Sequence, residues 1–286
     1  MTKKTRAKNA PKEARVKRDL TKKKYTSAEI QALRNAYDKP LERKDYVRYA
    51  AAPAILFSGI IFYLTYDLAL GIIFFLIGVL YGLKIWLPKA VRRTYIIKSF
   101  NERNRFLNLI TQQMSDRSKI PKQILERVVS RLEGELKDDF FPITARIANG
   151  ATTKEISEMF NGLQEKYQED VIFSQYLEQV ETNFTTGIDN LSSLQDMNGY
   201  HTELRKERDK FLTFKSKRIK DNISLIVLSF VLITALQFAT GNNAMYMTAF
   251  ASTVIGKVVS VIYTLVAVLI THKFQKVYFD DNIMEA

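Results

Sequence analysis

The sequence predicts an all-α, polytopic membrane protein in which two transmembrane hairpins flank a cytoplasmic helical bundle. The first observation is the distribution of charge, because residues 50–66, 68–87 and 223–239 contain one basic residue, Lys84, and no acidic residue. Charged residues make up 26% of the whole chain, and soluble domains rarely separate them so completely from the apolar ones. The second observation is that the polar remainder follows a helical period, with no convincing strand pattern.

The lengths of the apolar stretches define the predicted spans. A helix rises about 1.5 Å per residue, so roughly 20 residues cross the hydrocarbon core of a bilayer. Residues 68–87 meet this length, and the first and third stretches meet it with short extensions. The charge-free part of the fourth stretch, 258–271, measures only about 21 Å, so we extend the predicted span to 250–271. Lys257 then becomes an intramembrane charge, which we expect to snorkel to the outer headgroups.

Basic residues flank every predicted span on the same side. Only Tyr66 and Asp67 separate the first two spans, which therefore form a tight hairpin. The flanking cations are Arg43, Lys44, Arg48, Lys89, Arg92, Arg93, Lys215, Lys217, Arg218, Lys220, Lys273 and Lys276. Because Lys and Arg mark cytoplasmic loops, we expect a multi-pass protein of the cell (inner or cytoplasmic) membrane with both termini in the cytoplasm. The predicted parts are a basic arm, a first hairpin, a cytoplasmic domain, a second hairpin and a cytoplasmic tail, at residues 1–46, 47–87, 88–222, 223–272 and 273–286.

Three glycines of the second span are suited to a close helix contact. Gly78 and Gly82 form a GxxxG pair on one helix face, and Gly71 lies one heptad before Gly78. Small residues let helix backbones approach closely in a bilayer, where no hydrophobic effect drives helices together. We therefore expect Gly71, Gly78 and Gly82 to pack against the first span around Gly59.

The predicted cytoplasmic domain consists of five or six antiparallel helices around a small apolar core. A helix that continues from the second span is followed by helices beginning at Pro121, near Pro142, after Thr152 and at Asp170. Proline in the first turn and a Thr-x-x-Glu capping box are typical of helix starts. After a Thr-Gly dipeptide, a long helix begins at Ile188 and continues into the third span.

The N-terminal arm carries most of the net charge, because residues 1–49 hold sixteen Lys and Arg against six Asp and Glu. Residues 2–24 have few large apolar side chains and are predicted to be disordered, whereas Thr26 and Glu29 would cap a short helix. The arm would lie along the anionic inner leaflet or dock on a cytoplasmic partner, and both interpretations stay open. Nucleic-acid binding is not expected, since aromatic residues are not interleaved with the charges.

Residue types that serve common catalytic and metal sites are scarce. The chain has no cysteine, and its two histidines, His201 and His272, are predicted to lie on helix surfaces. A Gly-Lys dipeptide before Val258 resembles the end of a Walker A loop, but valine stands where the magnesium-binding Ser or Thr would be. The acidic pairs 138–139 and 169–170 are predicted to open helices, where carboxylates favour the macrodipole. The sequence therefore predicts no enzymatic activity, no cofactor and no metal.

Two local motifs carry a family resemblance. They are Asn149-Gly150 followed by Glu155-Ile156 and Phe160, and Thr186-Gly187-Ile188 followed by Leu191 and Leu194. In this order and topology, across residues 88–280, the chain resembles the inner-membrane platform proteins of type II secretion, type IV pilus and tight-adherence systems. The single-domain TadB/TadC branch is the most similar. The chain departs from that pattern in its long basic arm and at Ile120-Pro121, where a preceding glycine is expected, so a divergent member from a conjugative machine fits equally well.

The resemblance implies a non-enzymatic platform that forms homo-oligomers or hetero-oligomers with a related subunit. Such platforms contact a secretion ATPase in the cytoplasm and act on pilin-like subunits in the bilayer. For the ATPase contact we nominate Glu165, Glu169 and Asp170, because charged surfaces of mixed sign suit a transient, steered contact. The alternatives are a channel or transporter component and a motor-free membrane scaffold. A transport path usually needs more intramembrane charges than Lys257 alone.

Overall fold

The structure is a computed structural model that describes residues 25–116, 120–239 and 243–279. Throughout these ranges all regular secondary structure is helical, which confirms the predicted all-α class. Four helices in them are long and apolar enough to cross a membrane. The arm 2–24 and the end of the tail, 280–286, lie outside the described residues.

The first half of the chain forms four helices that alternate with short turns. They are α1 (Ser27–Asn35), α2 (Arg43–Thr65), α3 (Leu68–Tyr81) and α4 (Leu87–Met114). A π-helical turn, Gly82–Trp86, joins α3 to α4, so one helical path of 47 residues runs from Leu68 to Met114. The predicted two-residue turn is present, and Tyr66 occupies the left-handed region there with φ 50°.

Four shorter helices, a long helix, a single helical turn and a last apolar helix follow. The shorter helices are α5 (Pro121–Ser130), α6 (Gly134–Ala148), α7 (Thr153–Lys166) and α8 (Val171–Thr186). The long α9 (Leu191–Ala239) is followed by the single turn α10 (Asn243–Tyr246), a π-helical turn (Met247–Ala251) and α11 (Val254–Phe279). The last apolar helix therefore begins at Val254 rather than at residue 250, because the π-helical turn occupies the start of the predicted span.

The caps confirm four predicted helix starts. Thr26 and Thr152 each accept a hydrogen bond from the backbone N–H of the glutamate three residues later, which completes a capping box. Pro121 is the first residue of α5. Asp170 caps α8 by accepting a hydrogen bond from the Phe173 N–H at 3.2 Å. These starts depend on residues that are adjacent in sequence, so local chemistry was enough to find them.

The predicted helix start at Pro142 is wrong. Helix α6 begins at Gly134, and Pro142 lies inside it. A proline in a helix interior costs about 3 kcal/mol, but α6 buries Leu136, Phe140 and Ile143 on one face. Burial of three large apolar side chains contributes roughly 1.5–3 kcal/mol each, which outweighs the cost of the proline.

The predicted start of the long helix at Ile188 is also wrong. Gly187 ends α8 in the left-handed region with φ 72°, and its N–H donates to the Asn183 carbonyl. Ile188 follows this cap outside any helix, and Asp189 accepts a hydrogen bond from the Leu191 N–H at 3.3 Å. Helix α9 therefore begins only at Leu191.

The chain divides into two compact units. The helical unit comprises Met1–Pro40 and Thr94–Glu207, and the apolar unit comprises Leu41–Arg93 and Arg208–Ala286. Helices α4 and α9 contribute residues to both units. Helix α1 belongs to the helical unit, although the sequence assigned residues 1–46 to a separate arm.

A group of aromatic side chains lies in the core of the helical unit. Phe106 of α4 stacks on Phe140 of α6 with ring centroids 4.5 Å apart, and it meets Phe173 and Tyr176 of α8 edge to face. All four side chains are fully buried. The Tyr176 hydroxyl lies 2.8 Å from the Thr111 hydroxyl, so its polar end is satisfied inside the core.

Candidate functional site

A buried ionic cluster joins three helices of the helical unit. Arg103 of α4 donates a hydrogen bond from Nε to Asp170 at 2.7 Å, and the two side chains are only 15% and 14% exposed. His201 of α9 is completely buried, and its Nε2 lies 3.6 Å from the same carboxylate. Burial by itself would raise the pKa of Asp170, but His201 and Arg103 outweigh it and lower that pKa to about 2. The cluster therefore holds α4, α8 and α9 around an ionised carboxylate.

His201 is enclosed by aromatic and polar partners, so its predicted surface position is wrong. Its ring stacks on Phe100 with centroids 4.6 Å apart, and its Nδ1 lies 3.0 Å from Asn104 Nδ2. Asn104 in turn accepts a hydrogen bond from Arg205 at 3.0 Å. The other ring nitrogen, Nε2, faces the ionic cluster. Leu194 is buried seven residues earlier, and this heptad spacing is the sequence signal that places His201 on the inner face.

A second ionic cluster centres on Lys166, the last residue of α7. Its ammonium group contacts Asp139 and lies 2.9 Å from Glu135, both on α6. Burial by itself would lower the pKa of Lys166, but the two carboxylates outweigh it and raise that pKa. Tyr167 donates to Asp139 and Tyr95 to Glu135, each at 2.6 Å. Asp139 is thus an interior ion-pair residue, and the prediction that it opens a helix with the preceding aspartate is wrong.

The three residues nominated for a partner contact do not share one environment. Glu165 and Glu169 are exposed on the helical unit. Asp170 caps α8 and pairs with Arg103, so it is not available for a surface contact. Only Glu165 and Glu169 therefore stay as predicted contact residues.

In the apolar unit, Lys257 of α11 forms an ion pair with Asp67, with Nζ and Oδ2 2.5 Å apart. The charge of Lys257 therefore has a counter-ion within the protein, and the expectation that Lys257 reaches the outer headgroups stays a prediction. Asp67 also caps α3 by accepting a hydrogen bond from the Ala69 N–H at 3.0 Å. The hydrogen bond from Lys257 is the main cause that lowers the pKa of Asp67.

The GxxxG glycines of α3 and the following turn lie directly against α2. A Cβ at Gly78 would come within 2.4 Å of the Ala54 Cα. A Cβ at Gly82 would come within 2.4 Å of the Tyr49 carbonyl oxygen. Both distances are far below a van der Waals contact, so only glycine permits this approach of the two helices.

The other two glycines of the predicted contact have different surroundings. A Cβ at Gly71 would find its nearest neighbour, a Phe62 ring carbon, at 3.8 Å, an ordinary contact. A Cβ at Gly59 would meet nothing within 4 Å. The expectation that Gly59 opposes the glycine pair is wrong, because Ala54 and Tyr49 occupy that position on α2.

Polar contacts also join α2 and α3 to the later apolar helices. The Tyr63 hydroxyl lies 2.5 Å from the Thr234 hydroxyl of α9. The Tyr81 hydroxyl lies 3.0 Å from His272 Nδ1 and donates to Gln275 at 2.6 Å, both on α11. His272 is therefore half-buried and paired rather than free on a helix surface.

The two ionic clusters stabilise the packing of the helices. Among residues 25–116, 120–239 and 243–279, no group of three or more His, Cys, Asp or Glu could hold a metal ion. In both ionic clusters the carboxylates already have cationic partners, Arg103 and Lys166. Sequence reasoning missed these clusters because each pair is separated by dozens of residues.

Sequence comparison assigns the chain to a family. An uncharacterized Bacillus anthracis protein, pXO2-23, is 38% identical to it over 265 residues, which are 92% of this chain and 95% of that protein. The chain belongs to the pXO2-23 family. Because the match extends over both compact units, we expect pXO2-23 to have the same four apolar helices and the same helical unit. No protein-family model matches the chain, and no solved structure matches it significantly.

Proposed function

We propose that this member of the pXO2-23 family is a non-enzymatic membrane platform of a conjugation-type or secretion-type machine. It would couple a cytoplasmic ATPase to pilin-like subunits in the bilayer. The observation that carries the proposal is the order of parts along the chain. Two apolar helices, a helical unit with its own core and two further apolar helices follow one another, as they do in the platform proteins that the sequence resembles.

The proposed topology places both termini and the helical unit in the cytoplasm. Its support is the charge at the ends of the four apolar helices, where every flanking Lys and Arg other than Lys257 lies on one side. The turn between α2 and α3, with Asp67 and its partner Lys257, would then lie at the outer face. This arrangement exposes the helical unit to a cytoplasmic motor.

A mobile-element setting is supported by the relative. The name of pXO2-23 carries a plasmid designation, and a plasmid-borne membrane platform suits a conjugative machine. The helical unit would meet the ATPase through the exposed Glu165 and Glu169 near the end of α7. Because exposed charges mainly affect steering and association rate, we expect this contact to be transient and sensitive to salt.

Co-purification tests the proposal. The full-length, tagged protein is purified from host membranes that also contain the ATPase encoded beside it, after mild crosslinking. We expect the ATPase to co-purify and the Glu165→Lys/Glu169→Lys variant to recover it much less efficiently. A Glu126→Lys/Asp138→Lys variant is the matched control, since both residues are exposed on other helices and the charge change is equal.

Each outcome has a defined consequence. Equal recovery by both variants would show that the α7 face is not the contact. Failure of the wild-type protein to associate with any such ATPase in membranes would exclude the platform role and leave a motor-free scaffold. Nucleotide hydrolysis by the purified protein alone would contradict the non-enzymatic assignment.

A further inference from the structure

Cations gather at one end of the apolar unit, where α4 approaches the C-terminal end of α11. Lys89 and Lys276 are close enough to repel each other electrostatically. The Arg93 guanidinium lies 3.6 Å from the centroid of the Tyr278 ring, which brings the same two helices together one turn further on. Arg92, three residues after Lys89, lies on the same side of α4.

Lys89, Arg92 and Lys276 lie in two stretches of the sequence that contain no acidic residue. The sequence contains no Asp or Glu between Asp67 and Glu102, nor between Asp221 and Asp280. Within the part of the chain that the structure describes, Lys89, Arg92 and Lys276 form no ion pair with a carboxylate. The Arg92 Nε is buried and has no hydrogen-bond partner there. Repulsion between Lys89 and Lys276 and a buried unmatched donor both favour the binding of an anion.

The surroundings of the cations have the character of a membrane–water boundary. Tyr49 and Trp86 pack edge to face with centroids 6.4 Å apart, and such aromatic residues mark the headgroup level of a bilayer. Further from the cations, Leu80 of α3 and Ile270 of α11 are exposed apolar side chains. A ligand bound here would therefore carry a negative charge at one end and a hydrocarbon chain at the other.

We propose that Lys89, Arg92 and Lys276 bind the phosphate group of an anionic phospholipid from the inner leaflet. The acyl chains of that lipid would lie along the exposed apolar surfaces of α3 and α11. The occupant is a lipid rather than a free phosphate, because the cations adjoin exposed hydrocarbon surface. The proposal rests on the topology given above, which places this end of α4 and α11 in the cytoplasmic leaflet, but it does not depend on an ATPase partner.

Lipid retention by the purified protein tests the site. Full-length protein is delipidated in detergent and mixed with phosphatidylglycerol or phosphatidylcholine of equal chain length, and bound lipid is counted by native mass spectrometry. We expect phosphatidylglycerol to be retained in preference to phosphatidylcholine. Since each basic residue near a membrane surface contributes modestly to attraction for anionic lipid, the Lys89→Gln/Arg92→Gln/Lys276→Gln variant should retain at least about tenfold less.

Two further variants separate a specific site from general charge and from misfolding. Arg127→Gln/Arg131→Gln/Lys154→Gln removes three cations that are exposed on the helical unit, and it should retain phosphatidylglycerol like the wild type. Lys276→Gln alone changes an exposed side chain, so it should fold normally and show an intermediate loss. If the triple variant fails to fold, the single variant decides the question.

Specific results would overturn the proposal. Equal retention of the two lipids by the wild type would do so, as would unchanged retention of phosphatidylglycerol in the Lys276→Gln variant. Displacement of the lipid by millimolar inorganic phosphate would show that the site takes a free phosphate instead. Retention is measured without an ATPase, so its outcome and that of the co-purification are independent.

Discussion

Lys257 and Asp67 are 190 positions apart in the sequence, yet Lys257 Nζ lies 2.5 Å from an oxygen of Asp67. Asp67 uses its other carboxylate oxygen to cap α3, so one side chain acts both as a helix cap and as a counter-ion. The two roles differ in what they require, because the cap needs an acceptor oxygen and the ion pair needs a charge. Substitutions can therefore separate them.

We expect Asp67→Asn to lower the thermal unfolding midpoint of the detergent-solubilised protein by removing the ion pair alone. Asparagine caps helices about as well as aspartate, so a further drop in Asp67→Ala would report the cap. Lys257→Met should lower the midpoint by a similar amount, and the double variant Asp67→Asn/Lys257→Met should cost less than the sum of the two. Additive effects in this cycle would show that the pair does not contribute.

The same pair predicts a pH dependence. Because the pKa of Asp67 is lowered in the folded protein, chiefly by Lys257, its contribution to stability is fully present above the ordinary carboxyl pKa of about 4. The contribution is lost as the pH falls through the lowered pKa. The difference in unfolding midpoint between wild type and Asp67→Asn should therefore be constant from pH 7 to pH 5 and shrink below pH 4. A difference that persists in acid would contradict the assignment.

The glycine contacts predict opposite effects for two alanine substitutions. Gly78→Ala should destabilise the protein, since its Cβ would lie 2.4 Å from the Ala54 Cα and overpacking costs about 1–3 kcal/mol. Gly59→Ala is the control, because its Cβ would meet nothing within 4 Å. Alanine there should be neutral or stabilising by up to about 1 kcal/mol. Thermal unfolding in matched nanodiscs measures both, and equal effects would exclude a special contact at Gly78.

The docking of α1 depends on a glycine of α6. Gly134 and Gly150 both have positive φ, 63° and 81°, so alanine at either position is strained by roughly 1–2 kcal/mol. Only at Gly134 would a Cβ also collide with the Ala36 carbonyl oxygen, at 2.2 Å. We expect Gly134→Ala, but not Gly150→Ala, to accelerate amide hydrogen exchange in residues 27–38. Similar exchange in the two variants would show that α1 docks independently of this contact.

Sequence reasoning succeeded where structure depends on neighbouring residues. The capping boxes at Thr26 and Thr152 and the two-residue turn before α3 follow from side chains within three positions of one another. The prediction at Pro142 failed because proline is a local marker of a helix start. In α6 the burial of Phe140 on the same helix outweighs the cost of an interior proline. A single sequence shows the proline but not the surface that Phe140 packs against.

The ionic clusters could not have been found in this way. Asp170 lies 67 positions from Arg103, and His201 lies 97 positions from Asn104. No periodicity connects residues on separate helices, so their pairing is a property of the packed fold. Asp170 is predicted as a contact residue because charged surfaces of mixed sign suit a transient contact, but its side chain is largely buried against Arg103.

The cluster at Asp170 predicts a large effect in neutral solution and a smaller one in acid. Asp170→Asn keeps an oxygen that can cap α8 but removes the charge that faces Arg103, and loss of one partner of a buried pair costs about 3 kcal/mol. Because the pKa of Asp170 is lowered to about 2, its contribution is fully present above about pH 4 and is lost as the pH falls towards 2. Glu169→Gln, an exposed neighbour, is the control and should change stability by less than about 0.5 kcal/mol. Equal destabilisation by the two substitutions in chemical denaturation would contradict the buried ion pair.

The last prediction concerns the orientation of the chain in the membrane. The protein has no cysteine, so a single introduced cysteine is the only thiol that a membrane-impermeant maleimide can label. Leu68→Cys and Met245→Cys replace exposed side chains near the outer ends of the two hairpins in the proposed topology, and we expect both to be labelled on intact cells. Gln168→Cys, exposed on the helical unit, should be labelled only after permeabilisation, because flanking cations favour a cytoplasmic position for that unit in the proposed topology. Labelling of Met245→Cys only after permeabilisation would contradict the second hairpin and therefore the four-span topology.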